Sequence, residues 1–126
     1  MDERRKWVRV DCELPCRYDD APHHAVNQPE KLSSAITKDV SEGGGRFYVF
    51  EFLPVGHRIR MCLELPLSEP IETLLEIMWI SEVPHSQGRF QVGGRFTTLA
   101  EDQHQEIRQF LYKKTLNTLR YSPALL

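Results

Sequence analysis

Two short stretches of the chain carry residue types that bind anions and planar polar rings. The first is Arg4-Arg5-Lys6-Trp7-Val8-Arg9, in which Arg5 and Arg9 stand four residues apart. A guanidinium is planar and always charged, offers a fork of donors that fits two oxygens at once, and stacks its face on rings. The second is Asp39-Val40-Ser41-Glu42-Gly43-Gly44. Its carboxylate accepts hydrogen bonds, which a guanidinium never does, and its serine hydroxyl both donates and accepts. Glycine at position 44 lets another group come close to the backbone. Read separately, both stretches have ordinary explanations: a basic N-terminus is usually solvated, and Asp, Ser and Gly are common turn formers. Read together, they form a two-part candidate site if the fold brings them to one place.

Composition limits what that site could serve. With 126 residues, 40% hydrophobic and 27% charged, the chain suits one compact domain whose core needs no disulfide. Sixteen Lys and Arg against eighteen Asp and Glu leave a formal net charge of −2, which argues against a basic surface for nucleic-acid polymers. The positive charge is local instead, since residues 1–9 hold four basic and two acidic side chains. No apolar run reaches the length of a membrane span and no signal-like apolar stretch follows the N-terminal charges. A cytoplasmic protein without membrane insertion is therefore expected. Cys12, Cys16 and Cys62 lack metal-like spacing and read as small buried hydrophobes in a reducing compartment. His23-His24 falls in a polar loop and reads as solvated. With no metal-ligand cluster and no nucleophile–base arrangement, the chain is not read as an enzyme, and neither a catalytic residue nor a metal is expected.

The elements that must position the two stretches are mostly strands. Residues 8–18 alternate without a break, Val8, Val10, Cys12, Leu14, Cys16 and Tyr18 facing one way. Pro15 lacks a backbone donor, so this strand should lie at an edge or bend there. The polar stretch 19–33, with Pro22 and Pro29, reads as a long connection. Further strands are predicted over 35–40, 46–52, 58–65, 71–81 and 89–96, with turns at 54–56 and 84–88. On the long fifth one, Leu75, Ile77 and Trp79 share a face, and Trp79 is expected in the core. Arg46 and Arg95 are expected to face solvent. A helix follows, with Thr98-Leu99-Ala100-Glu101 as its capping box and Ile107, Phe110, Leu111 and Leu119 as its apolar stripe. The fold class is mainly β: a small six-stranded antiparallel barrel sealed by a C-terminal α-helix. The organisation is a flexible arm over 1–9, the barrel and helix over 10–120, and a tail over 121–126.

Arg5-x-x-x-Arg9 entering the first strand and Asp39-x-Ser41-x-x-Gly44 ending the second resemble the PilZ family, bacterial receptors for cyclic di-GMP. Trp79 and the run Phe90-Gln91-Val92-Gly93-Gly94-Arg95-Phe96 look like that family's later strands, and the resemblance spans residues 4 to 119. It implies a stand-alone member that binds cyclic di-GMP, a second messenger with two phosphodiester anions and two guanines. In that reading Arg5 and Arg9 clamp phosphate and guanine, Asp39 and Ser41 read the guanine edge, and Gly44 leaves room for the ligand. The family pattern further implies that Arg4 goes with two intercalated ligand molecules per site. The arm would order on binding and present a new surface to a downstream protein partner.

Two rivals accompany this reading. One is an interaction module of the same fold that does not use the nucleotide, although such members usually lack the arginine motif. The other is a single-stranded nucleic-acid-binding barrel, which the net charge of −2 disfavours.

Overall fold

The computed structural model describes residues 8–19, 32–66, 68–85 and 88–120. Arg4, Arg5, Lys6 and Trp7, positions 20–31 of the long connection and the tail over 121–126 lie outside the described residues, as does the side chain of Leu119.

Seven strand segments and one helix follow in chain order: β1 (Val10–Asp11), β2 (Pro15–Asp19), β3 (Ser33–Ser41), β4 (Gly44–Val49), β5 (Arg58–Leu63), β6 (Ile71–His85), β7 (Gly88–Phe96) and α1 (Glu101–Arg120). All pairings are antiparallel. β2 pairs with both β3 and β5, and the circuit β2-β5-β6-β7-β4-β3 closes on itself. Closure leaves no free edge in that circuit. β1 and β2 are two parts of one stave along β3, so the barrel has six staves, as the alternation of residues 8–18 requires.

The break between β1 and β2 falls just before Pro15, where the missing donor predicts a bend. Thr37 of β3 bridges it. Its buried hydroxyl donates to the Cys12 carbonyl at 2.6 Å and accepts from the Leu14 amide at 2.8 Å. Two backbone groups that the ladder cannot reach are satisfied in this way.

The core holds Cys12, Leu14, Cys16 and Tyr18 from the first stave, with Ile59, Met61 and Leu63 from β5 and Val92 and Phe96 from β7. Those of the first stave are the predicted inward residues. Ile107 and Leu111 of α1 join the same cluster, and the helix packs on β1 and β3 at one end of the barrel. Val8, at the start of the predicted apolar face, is exposed.

Three local expectations are corrected. β4 ends at Val49, and Phe50 and Phe52 lie beyond it, exposed. β6 runs on to His85, carrying Pro84 within the strand where a turn was predicted. Thr98 does not cap the helix: its hydroxyl accepts from the Leu74 amide at 2.9 Å and pins the incoming chain to β6. Ala100 holds the cap position, its carbonyl taking the first helical bond from His104, and Gln103 reaches back to the Ala100 amide at 3.0 Å. This is the glutamine half of a capping box, two residues later than predicted.

Candidate functional site

The register of β1 on β3 decides whether the two motif stretches meet. Val10 pairs with Val40 and Asp11 with Asp39. Arg9 directly precedes this paired segment. The exposed Arg9 therefore enters the barrel at the strand that carries Asp39 and Ser41. Of the predicted site residues, the structure places Asp39 and Ser41 on β3 and Gly44 at the start of β4, with Arg9 at the entry to β1.

Side-chain alternation alone would have put Asp39 inside. Thr37 is buried opposite Phe47, and two residues on, Asp39 should point the same way. A register shift between Thr37 and Asp39 leaves Lys38 unpaired and reverses the alternation, so Asp39 pairs with Arg46 on the outer face while Val40 turns into the core. The same device appears on β6. Leu75 and Ile77 point inward, the ladder shifts at Met78, and Trp79 turns outward opposite Gly93. Trp79 is 37% exposed, which overturns its assignment to the core. Period-two reasoning missed it because a bulge has no local sequence signal here.

The two bulges create one row across the outside of the barrel: Trp79, Gly93, Arg46, Asp39 and Asp11, on five segments in succession. Gly93 is needed there, because a Cβ would run into the Trp79 indole. The adjacent row carries Glu76, Arg95, Gly44 and Ser41.

Asp39 is 1% exposed and its oxygens are occupied from within. Oδ1 accepts from the Arg46 amide at 3.1 Å; Oδ2 accepts from Arg46 Nε at 2.7 Å and is also held by Nη2. Arg46 therefore does not simply face solvent as predicted. The hydrogen bond to Asp39 pushes the Arg46 pKa up, so the guanidinium stays charged. Ser41 Oγ accepts from the Gly43 amide at 3.2 Å and donates to the Gly44 carbonyl at 3.3 Å, fixing the turn. Gly44 is set against β7, where a Cβ would collide with the Gly94 carbonyl and approach Arg95 Cα at 3.0 Å. Its missing side chain serves the close packing of β4 on β7.

Glu42, at the tip of the turn, binds Arg108 of α1 through two hydrogen bonds of 2.9 and 3.0 Å. The Arg108 hydrogen bond holds the Glu42 carboxyl below its ordinary range. Beside this contact lies a cavity of about 400 Å³ lined by Val8, Val10, Leu111, Tyr112 and Thr115. Arg95 is ion-paired to Glu76 at 2.6 Å. Among the described residues, Arg46, Arg95 and Arg108 are thus each matched by a carboxylate. Among the described residues there is no group of His, Cys, Asp and Glu able to hold a metal, and no helix long and apolar enough to cross a membrane.

The model of the PilZ domain matches residues 3–113, nearly the whole length. The chain belongs to the PilZ domain family. Solved PilZ-type structures agree with this fold. The Bacillus subtilis inhibitor of motility MotI/DgrA aligns with a TM-score of 0.74 at 22% identity, covering 92% of this chain and 53% of that one. Escherichia coli YcgR in complex with c-di-GMP aligns at 0.72 and 13% identity, covering 93% and 48%. The K. pneumonia MrkH–c-di-GMP complex aligns at 0.73 and 18% identity, covering 96% and 57%. The chain thus spans about half the length of these proteins. No curated protein matches the sequence.

Proposed function

We propose that this PilZ-domain protein is a receptor for cyclic di-GMP that acts by binding rather than by catalysis. The observation that carries the reading is the β1–β3 pairing, which brings the chain directly after Arg9 alongside the strand holding Asp39 and Ser41. Membership of the PilZ family and the likeness to YcgR and MrkH, both solved with c-di-GMP, support it.

In this reading Arg5 and Arg9 hold phosphate and the O6/N7 edge of guanine, and Asp39 and Ser41 face the guanine donors. Arg4 supplies a third guanidinium, which stacks on a second base and favours two intercalated ligands per site. Net charge matching supports arm closure. The fixed arginines of the barrel face are already paired with carboxylates, so the arm brings the charge that a dianion requires. Closure of the arm orders residues 1–9, and the surface so formed is read by a downstream protein in the bacterial cytoplasm.

Isothermal titration with cyclic di-GMP tests the reading. Wild type should bind and saturate at two ligands per chain, whereas Arg9→Ala should lose about 10–100-fold in affinity, the worth of a charge-assisted contact of roughly 1.5–3 kcal/mol. Absence of binding by wild type would leave the interaction module as the better reading. Saturation at one ligand would remove the role given to Arg4.

A further inference from the structure

The closed contact between Asp39 and Arg46 has a bearing on how a base could be recognised. A carboxylate has about four lone-pair positions. Three of those on Asp39 are taken by one residue: the Arg46 amide on Oδ1, and Nε and Nη2 on Oδ2. The carboxylate is 1% exposed and the Arg46 side chain, 29% exposed, lies over it. A base edge arriving from solvent meets the guanidinium first.

The chemistry of the two competitors is similar. The guanidinium offers Asp39 a pair of neighbouring N–H donors, and the N1–H and N2–H groups of guanine form another such pair. Adenine presents one donor beside an acceptor, which a carboxylate repels. We propose that Arg46 is a built-in occupant of the base-reading position, and that ligand binding exchanges its donor pair on Asp39 for the donor pair of guanine. This rests on the cyclic di-GMP reading and deepens it. The backbone bond from Arg46 to Oδ1 belongs to the strand pairing and remains through the exchange. Only the side chain has to swing, and it lies on the outer row with Gly93 as its cross-strand neighbour on one side. The exchange conserves hydrogen bonds for guanine alone, so Arg46 acts as a specificity-determining residue. It also lowers the apparent affinity, because the competent form of the site is only the fraction in which Arg46 has let go.

Arg46→Lys tests this while keeping the charge. Lysine has a single ammonium in place of the planar donor pair and holds the carboxylate less firmly. Titration with cyclic di-GMP should show Arg46→Lys binding about fivefold more tightly than wild type. Equal or weaker binding by the variant, with wild type binding normally, overturns the proposal and leaves the receptor reading intact. Binding by neither protein overturns both. Binding by the variant alone supports the proposal in its strongest form. A second measurement uses wild type only and does not depend on the variant folding. The Nε–H resonance of Arg46 should be slow to exchange with solvent in the free protein and lose that protection when cyclic di-GMP is added. Protection unchanged in the complex shows that Asp39 keeps its arginine, and overturns the exchange.

Discussion

Glu42 and Arg108 tie the tip of the β3–β4 turn to helix α1, with Arg108 Nε donating to one carboxylate oxygen at 2.9 Å and Nη2 to the other at 3.0 Å. The candidate ligand turn and the helix are therefore mechanically joined through a residue of the Asp39–Gly44 stretch that was given no role from its type. Arg108→Ala should speed amide hydrogen exchange at Gly43 and Gly44 and in the first turns of α1, while β5 and β6 stay protected. Unchanged exchange in the turn would show that the contact holds nothing in place.

The same pair sets a pH dependence. The hydrogen bond from Arg108, helped by its charge and that of His104, depresses the Glu42 pKa below its ordinary value of 4.5. A depressed carboxyl contributes stability above its unfolded pKa and loses it as the pH falls through the lower folded value. The turn–helix contact should thus be fully kept at pH 5 and give way only below about 4.5, which exchange rates measured across that range would reveal.

Thr37→Val should destabilise the barrel by about 1–3 kcal/mol, because the Leu14 amide and Cys12 carbonyl lose their partner in a buried place. The urea midpoint of unfolding measures it. A change near zero would mean that water or the backbone takes over both bonds.

Burial pushes the Cys16 thiol up to about 12 and also raises Cys12 and Cys62. Cys12 and Cys16 are buried and Cys62 only partly so. A thiol reagent at pH 8 should label Cys62 slowly and the other two only after denaturant is added. Prompt labelling of all three in the native protein would contradict the packing of the first stave.

Trp79→Ala should cost well short of the roughly 3–5 kcal/mol typical of a fully buried tryptophan, since the indole stands outside the barrel over Gly93. Thermal unfolding of the variant distinguishes an outer-row tryptophan from a core one.

Legibility from the sequence followed the kind of interaction involved. The inward face of the first stave was readable from Cys12 to Tyr18 because alternation holds through those residues. Trp79 was not placed correctly by alternation, because it follows a bulge at Met78 that only the pairing with a neighbouring strand reveals, and Asp39 follows a bulge of the same kind at Lys38. Arg46 was misjudged for a related reason: its carboxylate partner faces it across the β3–β4 ladder, and the residue type alone suggests solvent. The helix cap moved from Thr98 to Ala100 because the threonine hydroxyl was claimed by β6. The motif halves were legible as residue types, whereas the position of Arg9 at the entry to β1 follows from the pairing of a two-residue segment with β3.

Barrel closure also dictates an order of assembly. The β3–β4 and β6–β7 pairings link neighbours in sequence and can form early as hairpins. The pairings β2–β5 and β4–β7 join distant parts of the chain, and such loops close slowly. On a ribosome, β4 must wait with one side unpaired until β7 emerges. The Asp39–Arg46 contact belongs to the early hairpin, whereas Gly93 and Trp79 reach the outer row only with the late one. The two halves of the outer row thus belong to different hairpins, joined only where β4 pairs with β7.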